Sequence, residues 1–234
     1  MKIAIMQPYF FPYIGYFQLM NAVDEFIIYD NIEFTKKGWI NRNRILVNGV
    51  DSYITLPLKK DSDYLDVKSR YLADNWNIER KKILNRISEA YKKAPHFAKS
   101  FQVIEEAILC NEMNLFKFIL NTLKIINKHL EIKTPLIISS SIPIDYLLKA
   151  EKKVIELCKA RKASTYINTI GGLMLYDKNE FNREGINLQF LKTDTIIYPQ
   201  FKNDFVSLLS IIDVMMFNSK EQIQKYLQLS FTFQ

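Results

Sequence analysis

The chain is 234 residues long, with 48% apolar, 13% aromatic and 24% charged residues, the make-up of a folded globular protein and not of a disordered one. Six glycines and seven prolines exclude a fibrous or low-complexity chain. Lysine and arginine outnumber aspartate and glutamate by 32 to 25, and the charge of +7 points to an acidic partner such as a phosphorylated small molecule.

In chain order, Ile3 to Met6 reads as a short buried strand that Gln7-Pro8 interrupts. The apolar run ends too early for a leader peptide, and no later run reaches the roughly 18 apolar residues of a membrane span. Tyr9 to Gly15 is an aromatic loop, followed by a short helix over Tyr16 to Ala22 and a strand over Glu25 to Tyr29 that ends at Asp30-Asn31. A polar loop, Lys36 to Arg44, leads into a hairpin of Arg44 to Val47 and Ser52 to Leu56 around the turn pair Asn48-Gly49. Helical spacing then predicts three helices, over Trp76 to Tyr91, Phe97 to Leu109 and Asn114 to Leu130. Pro135 to Ser139 is a strand, Ile144 to Cys158 a helix, and Thr165 to Ile167 a strand before Gly171-Gly172. Leu188 to Leu191 is a last strand and Phe205 to Phe217 a last helix. Strand and helix alternate at both ends, so the expectation is an α/β fold. It would be a Rossmann-like parallel sheet core in one domain over 1–234, with a helical insertion at about 72–131.

Two segments carry candidate chemistry. A strand running into a loop and a helix start is a place where free N–H groups and the helix dipole meet an anion, and here that loop holds Gln7, Tyr9, Tyr13 and Gly15. The layout is similar to nucleotidylyltransferases and pantothenate-synthetase-like ligases, but Tyr13 and Tyr16 stand where those folds carry histidines. The second segment, Lys36-Lys37-Gly38-Trp39-Ile40-Asn41-Arg42-Asn43-Arg44, is the densest cluster of cations, amides and aromatic surface. Lys36, Lys37, Arg42 and Arg44 suit phosphates, Trp39 suits stacking on a base or sugar, and Asn41 suits hydroxyls. Asp30, at the carboxyl end of a strand, is a candidate base, and His96 is another. Gln200, in the extended Tyr198-Pro199-Gln200-Phe201, is a candidate for reading an amide, sugar or base. Two histidines and two isolated cysteines, Cys110 and Cys158, have no zinc-ligand spacing, so no metal ligand set is expected, and the cysteines read as buried thiols.

The segment Met6 to Phe17, then Tyr29-Asp30 and Lys37 to Arg44, resembles the WbqC-like protein family. Tyr91 to Pro95, Tyr166-Ile167-Asn168 with Gly171-Gly172, Tyr198 to Phe201 and Leu209 to Asp213 extend the resemblance over essentially the whole chain. The resemblance implies a place in surface-polysaccharide, O-antigen or nucleotide-sugar biosynthesis, and no catalytic residues come with it. Together with the basic loop it leads to an expected transferase that places an acyl or aminoacyl group on the amine of a nucleotide-linked amino sugar. Asp30 or His96 would be its base, and the partners would be a nucleotide-linked sugar and a small acyl or amino-acid donor. A nucleotidylyl- or glycosyl-transferase of the same pathway and a non-catalytic binding module are the alternatives. The cofactor stays open, with ATP or Mg²⁺ both compatible with the charged residues. Dispersed cations and the lack of any familiar motif argue against nucleic acid, and two unpaired thiols without a leader lead to an expected cytoplasmic location.

Overall fold

A computed structural model describes residues 1–202 and 204–234. Its large sheet has six strands: β1 (Lys2–Met6), β2 (Glu25–Ile28), β5 (Leu136–Ile138), β6 (Thr165–Thr169), β7 (Asn187–Thr193) and β8 (Phe231–Phe233). They lie in the order β5-β2-β1-β6-β7-β8, parallel except for the antiparallel edge pair β7–β8. Counted along the chain, that order is 3-2-1-4-5-6, the doubly wound arrangement of a Rossmann-like α/β core.

The central strands read as apolar runs because both faces of the sheet are covered. Period-two alternation sends Ala4, Phe26, Ile28, Ile167 and Leu191 into one core and Ile3, Ile5, Ile27, Tyr166 and Leu188 into the other. Helices α1 (Ile14–Asn21) and α8 (Lys220–Leu229) pack on the first face. Helices α5 (Ala150–Ala160) and α6 (Lys178–Arg183) pack on the second. Between β2 and β5 the chain makes the hairpin β3 (Arg42–Val47) and β4 (Val50–Thr55), then α2 (Trp76–Tyr91), α3 (Phe97–Ile108) and α4 (Leu115–His129). These share the first core, where the Trp76 and Phe118 rings meet edge-to-face at 5.3 Å. Asn114 caps α4 by accepting from the Lys117 N–H at 3.1 Å.

The aromatic loop after β1 is buried, and its polar backbone is paired inside. Asn43 Nδ2 donates to the carbonyls of Phe10 (3.1 Å) and Phe11 (2.9 Å). Ser210 Oγ donates to the Phe11 carbonyl at 2.7 Å, and the Ile211 N–H to that of Pro12 at 2.9 Å.

The last predicted helix starts later than its apolar pattern implies: α7 is Ile211–Phe217. Gln200 holds both the N–H of Val206 (2.7 Å) and its carbonyl (3.0 Å), which keeps that stretch out of a helix until Ser210 caps α7. Helix α5 likewise begins at Ala150, because Tyr146 is tied back to the Ser139 and Ile142 carbonyls. Helices α6 and α8 and strand β8 form where the sequence pattern predicts no element. Ser219 with Gln222 three residues on is a capping signal that marks the start of α8.

One buried carboxylate ties α2 and α7 to the segment before α7. Asp213, fully buried, accepts from Tyr91 Oη (2.8 Å), Tyr198 Oη (2.8 Å) and Gln200 Nε2 (2.7 Å), and Tyr91 Oη itself accepts from the Leu46 N–H of β3. Burial raises the Asp213 carboxyl above the usual carboxylate value, while its three donors oppose that shift. Asp213→Ala leaves three buried donors unpaired, so a loss of about 3–5 kcal/mol in unfolding free energy is expected from denaturant titration.

Candidate functional site

In a doubly wound sheet the ligand crevice opens where the strand order reverses, outside the carboxyl ends of the strands. Here that point lies between β1 and β6, and a cleft of about 1010 Å³ occupies it. Gln7 and Tyr9 reach it from the loop after β1, and Tyr29 and Asn31 from the end of β2. Ser140 and Tyr146 come from the segment after β5, and Lys149 and Lys153 from the start of α5. Asn168 lines it from β6, Gly172 and Tyr176 from the segment after it, and Asp66 and Lys68 from the loop that follows the hairpin.

Asp30 builds one wall of this cleft without lining it. Its carboxylate is 2% exposed and accepts from Ser139 Oγ (2.8 Å), the Ser140 N–H (2.9 Å) and Ser140 Oγ (2.7 Å). It fastens the turn after β5 to the end of β2, so the geometry makes it a positioning residue and not the exposed base expected from its place on the strand. Gly172 lies so close to Asn168 that an added Cβ would come within 2.4 Å of Asn168 Nδ2, which sets the Asn168 carboxamide at the mouth of β6.

The chemistry available in the cleft is mixed. Burial holds the phenols of Tyr9, Tyr29 and Tyr176 above the usual tyrosine value, so all three are protonated donors at neutral pH. Asp66 contributes a half-buried carboxylate, and Lys68 and Lys149 contribute exposed cations. Helix α5 points its N-terminus at the same space, since Lys149, Ala150 and Glu151 all line it.

The basic loop faces elsewhere. The segment Ile32–Phe34 pairs with Leu65–Val67 through Phe34 N–H to Leu65 O and Val67 N–H to Ile32 O, and this ladder separates the cleft from a second groove of about 680 Å³. Lys36, Lys37, Asn41 and Arg42 line that groove with Arg70, and none of them lines the cleft. Lys36 pairs with Asp63 at 2.7 Å, Asn41 Nδ2 donates to the Leu56 carbonyl at 3.0 Å, and Arg42 Nε donates to the Gly38 carbonyl at 3.1 Å. Trp39 and Arg44 line neither space. Trp39 stacks on Tyr53 at 6.3 Å, and Arg44 lies over Trp39 and pairs with Asp51 at 3.0 Å.

The remaining candidates are internal. Tyr13 stands at the N-cap of α1 and does not line the cleft. Gly15 is buried against the Tyr13 ring and Thr193, where a Cβ would come within 2.3 and 2.5 Å of neighbouring atoms, so its small size serves packing and not ligand approach. Gln200 is 1% exposed and spends its amide on Val206 and Asp213. His96 is half-buried at the N-cap of α3, its N–H donating to the Met216 carbonyl at 3.1 Å, outside both spaces. Of the residues expected to act together, the structure brings only Gln7 and Tyr9 into the cleft. The residues that join them, Asp66, Lys68, Tyr146, Lys153 and Asn168, come from four separate segments. Only Asn168, just before the glycine pair, carried a sequence signal.

Among the described residues no helix is long and apolar enough to cross a membrane, and no three His, Cys, Asp or Glu side chains cluster as metal ligands. Cys158 is buried, and burial pushes its thiol up to about 12. No solved structure matches the chain significantly. It is similar to an uncharacterized protein of Mycobacterium tuberculosis, Rv1507c, with 30% identity over 233 residues that cover 97% of each chain. The model of the WbqC-like protein family matches residues 7–225. A match across this much of the chain establishes the relationship that the opening aromatic segment and the basic loop led one to expect: the chain belongs to the WbqC-like protein family.

Proposed function

We propose that the cleft binds a nucleotide-linked amino sugar and that the protein transfers an acyl or aminoacyl group to its amine. The observation that carries this reading is the convergence of anion-binding and sugar-binding groups at the switch point of a doubly wound sheet. Lys68, Lys149 and the N-terminus of α5 supply positive potential for a diphosphate. The tyrosines supply flat apolar faces with donor tips, and the Asn168 amide and the Gln7 side chain supply both donors and acceptors for sugar hydroxyls. A volume of about 1010 Å³ is at the upper end of ordinary ligand pockets and accommodates a ligand with base, diphosphate and sugar parts.

Acyl transfer to a sugar amine needs a base, because the ammonium form has no lone pair. Three carboxylates line the cleft, and since Glu33 is exposed and Glu151 accepts from the Asp177 N–H, we give that proton to the half-buried Asp66, where the sequence pattern offers Asp30 or His96. The amine then attacks the acyl carbon, its nitrogen gives its second proton to water, and the proton held by Asp66 passes to the leaving group as the tetrahedral intermediate collapses to the amide.

Binding is tested by thermal unfolding with UDP-, GDP- and dTDP-linked sugars. A ligand at 100 times its dissociation constant is expected to add about 2.7 kcal/mol of stability, and the absence of any shift would overturn the reading. Lys68→Ala is expected to weaken the selected ligand by about tenfold, the worth of one charge-assisted hydrogen bond, read by calorimetric titration. Asp66→Asn is expected to lower kcat by about 10²- to 10⁴-fold with KM little changed, in an assay that weighs the amide product by mass spectrometry. Release of a nucleoside diphosphate or pyrophosphate in place of an amide would assign the cleft to glycosyl or nucleotidylyl transfer.

A further inference from the structure

Lys153 is the cleft residue that neither the diphosphate nor the base explains. It stands in the first turn of α5, is 8% exposed and lines the cleft. Among the described residues it is the only buried lysine, and it forms no ion pair, whereas the lysines that do pair, Lys36, Lys59, Lys82, Lys92, Lys159 and Lys220, are all more exposed. Its single hydrogen bond among the described residues is a long one, 3.3 Å to the Asn31 carbonyl. Its Nζ is held over the Tyr29 ring at 4.8 Å and the Tyr146 ring at 5.4 Å, a fixed position with little side-chain freedom left to lose on reaction.

We propose that Lys153 is a reactive amine, and that it takes the aldehyde or ketone carbon of an anionic ligand as an imine. The nitrogen lone pair forms the C–N bond while the carbonyl π pair moves to oxygen, and a proton shift from nitrogen to oxygen gives the carbinolamine. The C–O bond then breaks, the departing oxygen takes up a proton as nitrogen gives one up, and the balance is one imine and one water. No oxidant or reductant enters. Two features of the surroundings, burial and nearby positive charge, act toward the free amine that this step requires. Burial moves the Lys153 amine below the ordinary lysine value, and Lys68 adds to that shift, while Asp66 and Asp30 oppose it. The positive pole of α5 acts in the same sense as the burial. Of the other groups near it, the ring faces of Tyr29 and Tyr146 favour the ammonium and oppose the shift, Lys149 and Glu151 on its own helix carry opposite charges, and Glu33 adds a negative charge to the same cleft. Lys68 and Lys149 on the same cleft are the reason the carbonyl compound is expected to carry a phosphate or carboxylate.

The inference goes beyond amide formation and does not depend on it. Its test uses pyridoxal 5′-phosphate purely as a probe that joins an aldehyde to a phosphate, with borohydride reduction and peptide mass spectrometry of the full chain. Lys153 is expected to carry most of the label at low probe concentration, ahead of the exposed Lys36 and Lys60. Lys153→Arg and Lys153→Met are expected to lose that label and keep the slow surface labelling, with a cooperative thermal unfolding transition showing that each variant is folded. Lys68→Ala is expected to slow the Lys153 label without moving it to another residue. Labelling spread evenly over surface lysines, with Lys153 no faster than Lys60, would overturn the proposal. Because the probe is not a nucleotide sugar, that result would leave the sugar-binding reading standing, and a failure of sugar nucleotides to bind would leave this one standing.

Discussion

The carbonyls of Phe10, Phe11 and Pro12 lie inside the protein, and everything near them is arranged to pair them. A buried loop cannot leave its backbone oxygens bare, since each unpaired one costs roughly as much as a lost hydrogen bond. Asn43 from the hairpin and Ser210 and Ile211 from the start of α7 supply the donors. Two segments distant in sequence are thereby fastened to the first βα connection. The Asp213 network then fixes α7 to α2 and to the Tyr198–Gln200 stretch, so the hairpin, the helices and the sheet form one core.

That constraint also decides where the site lies. In the dinucleotide-binding form of this fold, a short glycine-rich turn lets the first helix point straight at the phosphates. Here seven residues, Gln7 to Tyr13, intervene between β1 and α1, and most of them are buried. Neither the N-cap Tyr13 nor Gly15 of the first turn lines the cleft. The helix pole available at the switch point belongs to α5, which Asp30 helps to place by fastening the turn that precedes it. A carboxylate that looks like a base in the sequence thus acts as a clamp, and the charged groups of the cleft come from Glu33 after β2, from the loop at 61–70 and from α5 with its N-cap.

Much of the fold was legible because it follows from local rules. The apolar runs at Ile3–Met6 and Glu25–Tyr29, the Asn48-Gly49 hairpin and the three helices from Trp76 to Leu130 are set by periodicity and turn chemistry that neighbouring residues share. The helix starts that apolar periodicity puts six residues too early are those where a side chain four to seven residues away holds the backbone: Gln200 on Val206, and Tyr146 on the Ser139 and Ile142 carbonyls. The basic loop at Lys36–Arg44 was legible as a charge cluster, but charge density says nothing of direction, and the ladder of Ile32–Phe34 with Leu65–Val67 turns it toward a separate groove.

The sequence by itself determined the α/β class, most of the strands and helices and the family, because these depend on patterns carried by contiguous residues. Only the tertiary structure decided which side chains share a pocket. Asp66, Lys153 and Asn168 lie 87 and 15 residues apart along the chain and meet only because the strand order reverses between β1 and β6. Whether a carboxylate is a clamp or a base, and whether a lysine is paired or free, is set by neighbours that no local pattern names.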